Sequence, residues 1–270
     1  MQKTEGGQTF SLVPWVIIMT SIIKQTAKAS INTVIGIMRW SKFLRDFAEF
    51  RRLAHTSKTR VAIFWRDRYP CLHDNVASTG FDRHYVYHTA WAARVIKETK
   101  PQVHVDISSS LYFSGIVSAF CPIRFYDVRP AHIDLPNLES GAADLQRLPF
   151  DDGSIKSLSC MHVIEHIGLG RYGDALDPDG DLKAISELKR VLAPGANFLF
   201  VAPIGRPRIA FNAHRIYAFE QIREHFSELE MHQFALIPDK AEEGGLVYQA
   251  TREMADKQVY GCGCFWFRKT

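Results

Sequence analysis

Histidine, glutamate and glycine concentrate in one stretch, residues 162–174, which reads HVIEHIGLGRYGD. Neutral imidazole accepts protons near pH 7, so His162 is a candidate general base. By residue type alone, residues 162–166 also match the inverted zinc-protease motif H-x-x-E-H. That motif needs a helix with both histidines on one face, whereas here a strand-like run leads in and Gly168 and Gly170 follow. We therefore expect no metal site from this motif.

A second polar stretch, residues 203–219, reads PIGRPRIAFNAHRIYAF and follows an apolar, strand-like run. Guanidinium groups match carboxylate and phosphate, so its arginines predict an acidic or phosphorylated substrate. Its histidine, His214, is a second candidate general base. The alternative is a surface loop with solvated arginines. The candidate substrate-binding residues of this stretch are Arg206, Arg208, Asn212 and Arg215.

Three aspartates stand where predicted strands end. Asp106 (in VDISSSLYFSG) and Asp127 (ending IRFYD) lie 21 residues apart on the first two strands, and Asp144 (in GAADLQRLPF) follows the third. Ligands of open α/β sheets bind outside the carboxyl ends of the strands. A carboxylate at the tip of the second strand can accept hydrogen bonds from both ribose hydroxyls. The alternative for Asp127 is an ion pair with Arg129 or Arg124.

The elements that must position these side chains alternate between strands and helices. Apolar runs predict strands at residues 103–107, 123–128, 138–141, 155–161, 197–202, 229–237 and 260–268. Helices are predicted at residues 84–97, 109–120 and 218–225, and from Asp177-Pro178 to Pro194-Gly195. The last two strands are expected to form an antiparallel hairpin at the sheet edge. The alternation predicts an α/β fold with a doubly wound, mostly parallel seven-stranded sheet.

Residues 148–203 combine a polar LPFDDGS turn, a buried strand, a loop, an amphipathic helix, a Pro-Gly turn and a second buried strand. This order resembles the second half of a class I S-adenosylmethionine-dependent methyltransferase, near the type 11 group, and the resemblance covers roughly residues 103–203. It implies a Rossmann-like methyltransferase fold, S-adenosylmethionine as cofactor and methyl transfer to a polar acceptor. Residues 162–174 and 203–215 also resemble an uncharacterised domain-of-unknown-function family found among bacterial surface-polysaccharide genes, which implies a small-molecule or glycan acceptor.

The resemblance assigns cofactor-binding roles residue by residue. Asp106 keeps the family's acidic position, while Ser108 and Ser110 stand where the family has glycines that let the backbone approach the cofactor. Asp144 corresponds to the aspartate that binds the adenine amino group, with Leu145 packing on the ring. The two serines leave open a second hypothesis, a non-catalytic binding or scaffold protein on a degenerate methyltransferase fold.

The resemblance also gives roles to the residues of the H-x-x-E-H stretch. Related sequences carry a histidine or a Glu-His pair at the end of the fourth strand, where it lines the pocket floor and the mouth of the substrate site. Glu165 is accordingly predicted to contact substrate. His166 is expected to be structural, with one ring nitrogen bonded to the backbone.

Charge separates the first 60 residues from the rest. The chain has 270 residues and a net charge of +4, but residues 1–60 hold ten Lys/Arg against three Asp/Glu, which leaves +7 there and −3 elsewhere. Residues 42–54 predict an amphipathic helix with Phe43, Phe47 and Phe50 on one face. It is predicted either to pack on the following domain or to lie on an anionic membrane surface. We expect a basic helical appendage (1–60) and a methyltransferase-like α/β domain (61–270) that opens with a strand, VAIFW.

Cysteine usage and hydropathy bear on localisation. The five cysteines form no CxxC pair, which argues against a disulfide scaffold or a zinc ribbon and favours a reducing compartment. Cys262 and Cys264 are expected on one face of a strand. The apolar run at residues 10–23 is shorter than the roughly 20 residues of a transmembrane helix. We expect a cytoplasmic protein with peripheral membrane contact through its N-terminal arm and no nucleic-acid partner.

Overall fold

The computed structural model describes residues 13–55 and 61–270. The chain divides into two compact units, Met1–Gly80 and Phe81–Thr270, so the second unit begins later than the sequence predicted. The apolar run at residues 10–23 lies only partly within the described residues. Every helix in the described part of the chain falls short of the length or hydrophobicity that a membrane span requires.

The first unit contains a long helix, α1 (Val13–Ala54), followed by an irregular segment. The predicted amphipathic helix is part of α1. The rings of Phe43 and Phe47 lie against Trp65, with centroid separations of 6.3 and 4.9 Å. Phe50 is 61% exposed, so this phenylalanine face is only partly covered within its own unit.

The strand predicted at residues 61–65 is not formed, and this expectation was wrong. The segment is irregular and leads into a 3₁₀ turn at Trp65–Asp67. Val61 is 74% exposed and Phe64 is 48% exposed. Strands are stable only beside a neighbouring strand, and none lies in the described part of this unit. Apolar composition alone therefore misidentified the segment.

The second unit alternates strands and helices. Its helices are α2 (Arg83–Thr99), α3 (Leu111–Val117), α4 (Gly180–Val191), α5 (Phe219–His225) and α6 (Arg252–Asp256). Its strands are β1 (His104–Ile107), β2 (Ile123–Asp127), β3 (Leu138–Ala142), β4 (Ile155–Met161), β5 (Leu192–Ile204), β6 (Arg208–Ala210), β7 (His214–Ile216), β8 (Leu229–Ile237), β9 (Val247–Tyr248) and β10 (Gly261–Lys269).

Eight of these strands form one sheet in the order β3-β2-β1-β4-β5-β10-β8-β9. Strands β1 to β5 pair in parallel, β10 runs antiparallel to β5 and β8, and β9 runs antiparallel to β8. Strands β6 and β7 form a separate hairpin. The predicted doubly wound, mostly parallel sheet is confirmed, with eight strands instead of seven.

Two apolar cores lie on opposite faces of the sheet, as a doubly wound fold requires. Phe198 and Phe200 of β5 belong to the core that α4 and α5 cover, while Leu199 and Val201 belong to the core that α2 and α3 cover. This alternation follows from the two-residue period of a strand. Burial on both faces fixes the sheet, and the carboxyl ends of β1 to β5 meet at one edge.

A side-chain cap fixes the start of α2. The Asp82 carboxylate accepts a hydrogen bond from the Tyr85 amide nitrogen at 3.1 Å. The helix ends at Lys100, whose φ of 46° is left-handed, immediately before Pro101. His84 therefore lies in a rigid first turn. The buried residues of the helix follow helical spacing: His88, Trp91, Ala92, Val95 and Ile96.

Two details of the predicted connections need correction. The last two long strands pair antiparallel, but β10 lies inside the sheet and the edge strand is β9. Helix α4 begins at Gly180 with Asp179 at its N-cap, after the predicted Asp177-Pro178 start. Asp177 instead forms a turn, because its side chain and carbonyl accept hydrogen bonds from the amides of Asp179 and Gly180.

Candidate functional site

Two carboxylates stand at the open edge beyond β2 and β3. Asp127 ends β2, and its Oδ1 accepts a hydrogen bond from the Arg129 amide at 2.7 Å. Asp144 follows β3, and its Oδ1 accepts one from the Gln146 amide at 2.9 Å. Among the described residues, the Oδ2 atoms of both aspartates accept no hydrogen bond. Asp127 therefore forms no ion pair with Arg129 or Arg124, and both acids have a free oxygen for a ligand.

The serine loop after β1 adopts the backbone that glycine would favour. Ser108 has φ of 54°, and its amide and hydroxyl both donate to the Tyr126 carbonyl, at 2.7 and 3.2 Å. Ser109 accepts from the Met161 amide at 3.1 Å. Ser110 is the N-cap residue of α3, without a side-chain cap bond. These bonds attach the loop to β2 and β4, and the left-handed conformation of Ser108 costs about 1–2 kcal/mol.

Asp106 lies inside the protein, away from the open edge. Its carboxylate is fully buried and accepts hydrogen bonds from Ser114, at 3.0 Å, and from Ser159. Burial raises the pKa of Asp106 to about 6, and the serine hydrogen bonds oppose that rise. Leu145 is only 5% exposed and belongs to the core below the sheet edge. These two residues therefore support the edge from beneath and present almost no surface to a ligand.

A cavity of about 460 Å³ opens beyond the carboxyl end of β4. It is lined from α2, the loop after β4, the start of β7 and the residue before β10. Its lining combines histidines, tyrosines, acids and arginines, among them His84, Tyr85, Glu165, His166, Arg171, Tyr172, Asp239 and Tyr260. The predicted base candidates His162 and His214 both line it. Because parallel strands end at one edge, this cavity and the two aspartates share that edge.

His162 lies directly after β4 in a strained backbone conformation, with φ of 58°. Its Nδ1 is 2.8 Å from Oε1 of Glu165, and its Nε2 is 3.3 Å from Sγ of Cys262. Glu165 is only 1% exposed, and its Oε2 has no hydrogen-bond partner among the described residues. Non-glycine residues held at positive φ concentrate at functional sites. The prediction that His162 and Glu165 share a pocket is therefore consistent with the geometry.

Helix α2 adds aromatic and imidazole rings that the sequence did not assign to the site. The rings of His84 and Tyr85 lie nearly parallel to that of His162, each with a centroid separation of 5.6 Å. Burial lowers the pKa of His84 to about 4, so it is neutral at pH 7. Burial also lowers the pKa of His88, whose ring lies 5.1 Å from that of His162. The cavity floor is a cluster of three imidazole rings, from His84, His88 and His162.

His166 is structural, as predicted. Its Nδ1 is 2.6 Å from the carbonyl oxygen of Ala213. Residues Ile164–His166 form a 3₁₀ turn, so the helix that the inverted zinc-protease motif needs is not present. His214 lies opposite, its ring 4.9 Å from that of Tyr260, and burial lowers its pKa. His214 is thus a neutral imidazole at the cavity wall.

The arginine-rich stretch does not face the cavity as the sequence predicted. Arg206 and Arg208 are exposed outside the cavity lining, and Arg208 donates to two backbone carbonyls. Asn212 is exposed and reaches only a carbonyl of the neighbouring loop. For Arg215 the expectation was wrong, because it is 5% exposed and donates to the carbonyls of Ile167, Asp177 and Pro178. Arg208 and Arg215 lie on the two strands of the β6–β7 hairpin, Asn212 lies in its turn, and Arg206 precedes it.

Several cavity residues escaped sequence reasoning because they lie far from the H-x-x-E-H stretch along the chain. The only sequence signal for them was a local concentration of histidine, tyrosine and cysteine. Two histidines and two tyrosines lie within HYVYH at the start of α2, and two cysteines lie within GCGC. Cys262 and Cys264 do lie on one buried face of β10, as predicted. Spatial proximity between α2, β4 and β10 depends on the sheet order, which sequence periodicity does not give.

Comparison with known proteins finds one partial family match and distant structural likenesses. A family profile described as "Caenorhabditis protein of unknown function, DUF268" matches residues 152–234, less than half of the chain. No curated protein matches the sequence. The 1,6-didemethyltoxoflavin-N1-methyltransferase of Burkholderia thailandensis, solved with S-adenosylhomocysteine, is 12% identical, with a TM-score of 0.48 over 68% of this chain and 79% of that one.

The N-methyltransferase NodS of Bradyrhizobium japonicum, also solved with S-adenosylhomocysteine, is 13% identical, with a TM-score of 0.48 over 74% of this chain and 91% of that one. Such distant likenesses do not assign a reaction. The sheet order of this chain, with the antiparallel strand β10 between β5 and β8, is that of a doubly wound α/β fold with a mostly parallel sheet.

Proposed function

We propose that the protein transfers a methyl group from S-adenosylmethionine to a polar small-molecule or glycan acceptor. One observation carries this proposal: two aspartates with free oxygens share a sheet edge with a cavity lined by several imidazoles. The aspartate oxygens can accept hydrogen bonds from a nucleoside, and the polar groups of the cavity can bind a polar acceptor. The cofactors in the distant structural neighbours are consistent with the proposal.

The edge residues fit the cofactor's nucleoside half. Asp127 at the tip of β2 has Oδ2 available to accept from ribose hydroxyls, and Asp144 has Oδ2 available to accept from an adenine amino group. Ser108 keeps the left-handed backbone that the loop needs. The cofactor would supply an electrophilic methyl group. The protein's contribution would be to hold that group in line with the acceptor, since positioning accounts for much of such a rate.

The cavity offers complementary groups for a polar acceptor. Tyr85, Tyr172 and Tyr260 line the cavity, and each adds a hydroxyl that can donate or accept. Burial raises the pKa of Tyr85 to about 12, so its hydroxyl remains protonated at pH 7. Arg171 adds a positive charge to the cavity lining, and its guanidinium group can donate two hydrogen bonds to an acidic group of the acceptor. Hydroxyl, imidazole and carboxylate groups around one cavity can form hydrogen bonds with a sugar, and this finer assignment is part of the proposal.

Two imidazoles are available to take the proton that the acceptor loses. His214 is neutral because burial lowers its pKa, and it makes no side-chain hydrogen bond within the described residues. His162 is held by Glu165, which would stabilise the imidazolium after proton uptake. A general base of this kind contributes about 10²–10⁴-fold in rate. His214 is the more accessible of the two, since His162 is 8% exposed.

A non-catalytic binding protein is the second candidate, and the serine loop favours it. Ser108 and Ser110 add two Cβ atoms at the positions where the methyltransferase resemblance has glycines. Tyr112, 86% exposed on α3, stands close after them. If this loop excludes the cofactor's amino-acid half, the fold would bind a nucleoside or the acceptor without transfer. Such a protein would retain the cavity and lack turnover.

Methyl transfer itself tests the proposal. The full-length protein is incubated with S-adenosylmethionine carrying a labelled methyl group and with neutral sugars, sugar phosphates or uronic acids. We expect label in at least one polar acceptor, and kcat about 10²-fold or more lower for His214→Asn, with unchanged cofactor affinity. His232→Asn is the control, because His232 is exposed on β8 outside the cavity. Acceptor binding without transfer would favour the scaffold instead.

A further inference from the structure

Three potential metal ligands from distant parts of the chain converge at the cavity floor. Among the described residues, the ligand atoms of His84, His162 and Cys262 all lie within 4.8 Å of one another. Nε2 of His162 and Sγ of Cys262 are 3.3 Å apart. Zinc bonds of about 2.0–2.1 Å to nitrogen and about 2.3 Å to sulfur place such atoms about 3.5 Å apart in a tetrahedral site. We propose that these residues bind one divalent transition-metal ion of the zinc class.

Glu165 orients His162 as a ligand. Its Oε1 accepts from Nδ1–H of His162 at 2.8 Å, which leaves the lone pair on Nε2, facing Cys262. A carboxylate on the second ring nitrogen is the usual support for a metal-binding histidine, since it fixes the tautomer and raises the basicity of the ligand. The His162–Glu165 pair therefore has the form of a metal ligand with its supporting carboxylate.

The unpartnered carboxyl oxygen of Glu165 is an independent, geometric indication of a ligand at this site. Glu165 is 1% exposed, and its Oε2 has no hydrogen-bond partner among the described residues. Only the imidazoles of His162 and His166 lie within ion-pair distance of it there. Binding a divalent ion would release the Cys262 thiol proton to solvent.

His84 is free to complete the set. Its ring nitrogens make no hydrogen bond within the described residues, and the cap at Asp82 fixes its helical turn. His84 and His162 also line the cavity, so a fourth coordination position would open towards an acceptor. Three protein ligands with one open position are typical of catalytic zinc. With the ion bound, His162 has no free nitrogen, and in the proposed reaction the acceptor's proton would go to His214.

This site differs from the zinc motif that the sequence suggested. The motif would use His162 with His166, but Nδ1 of His166 is engaged with the Ala213 carbonyl. The proposed set shares only His162 with it and draws its other ligands from α2 and β10. The sequence-based expectation of no metal rested on the motif, and the proposed site replaces that expectation.

Metal titration of the untagged, full-length protein tests the site. After chelator treatment the protein is titrated with cobalt(II), a spectroscopic probe for zinc sites, and separately with zinc. We expect about one ion per chain, tetrahedral visible bands and a thiolate-to-cobalt charge-transfer band. Cys262→Ser should abolish the charge-transfer band. Cys264→Ser is the matched control, because Cys264 is buried on the same face of the same strand and should leave the band unchanged.

Two further variants keep the test decisive if Cys262→Ser folds poorly. His84→Ala changes a half-buried residue and should reduce bound zinc to well below one ion per chain. Glu165→Gln should weaken zinc affinity by about 10–100-fold, the usual effect of losing the supporting carboxylate. Failure of the folded wild type to bind stoichiometric zinc, or equal cobalt spectra for the Cys262 and Cys264 variants, would overturn the proposal. Neither measurement involves S-adenosylmethionine, so the failure of the metal proposal and the failure of the proposed methyl transfer are distinguishable.

Discussion

At the scale of single residues, the sheet's interior contains a polar network where the sequence suggested a ligand. Asp106 accepts from Ser114 and Ser159, and Ser159 also contacts His104, which lies against Ser157. Burial lowers the pKa of His104 to about 3, so it remains neutral. The sequence does not distinguish an aspartate whose side chain faces a ligand from one whose side chain faces the core. The position of Asp106 near the end of β1 was therefore predictable, but the burial of its side chain was not.

This burial predicts a pH dependence that Asp106→Asn should remove. The pKa of folded Asp106, about 6, lies above the value of about 3.9 in an unfolded chain. Between these values the native state binds more protons, so its contribution to the free energy of unfolding falls as pH rises, by up to about 3 kcal/mol. Denaturant unfolding at several pH values from 4 to 7 measures this slope.

The Asn side chain keeps one acceptor for the serines and carries no charge, so the asparagine variant should show a flatter profile than wild type. Asp151→Asn is the control, because Asp151 is exposed in a turn before β4. Identical slopes for wild type and Asp106→Asn would show that Asp106 does not titrate in this range.

At the scale of elements, long regular segments were predictable and short ones were not. The bounds of β4 and β8 agree with the prediction, because each is a long strand in which neighbouring elements bury most of the residues. The β6–β7 hairpin and β9 span two or three residues each, too few to show a period. The sequence predicted the arginines of this hairpin to be substrate ligands. No feature of the neighbouring residues indicates that the Arg215 side chain is buried.

The loop between β4 and α4 depends on Gly168. Its φ is 77°, and an added Cβ would lie 2.1 Å from the Asp177 carbonyl oxygen. Gly168→Ala should therefore destabilise the protein by more than about 2 kcal/mol, from strain plus the clash. Gly173 has φ of 86° with nothing within 4 Å of the added atom, so Gly173→Ala isolates the strain at about 1 kcal/mol. Equal losses in denaturant unfolding would contradict this steric account.

At the scale of the whole molecule, sequence predicted the architecture better than the site. Alternating strands and helices determine a doubly wound sheet, because few arrangements bury both faces. The cavity instead joins α2, the β4 loop and the start of β10, whose proximity depends on β10 entering between β5 and β8. His84 and Cys262 could not be paired from a sequence in which 178 positions separate them (262 − 84).

The first unit carries the predicted membrane contact, which we retain as a proposal. Phe50 is 61% exposed on a helix that also bears Arg45, Arg51 and Arg52. Basic residues near an anionic surface contribute about 1 kcal/mol each, and salt screens them. Full-length protein should sediment with phosphatidylserine vesicles at low salt and be released at high salt.

Phe50→Asp should weaken this sedimentation, because it places a charge on the apolar face. Phe211→Asp is the matched control, since Phe211 is also exposed but lies in the second unit. Wild-type protein that remains in the supernatant at low salt would exclude the membrane contact, as would equal loss in both variants.

Calorimetric titration of the full-length protein with S-adenosylmethionine tests the central claim most directly. We predict saturable binding that Asp127→Asn weakens by about 1–3 kcal/mol, because the variant loses a charged acceptor for ribose hydroxyls. Asp151→Asn, at the opposite edge of the sheet, should bind like wild type. No heat of binding at millimolar ligand, or equal affinity for wild type and Asp127→Asn, would contradict a cofactor site at this edge.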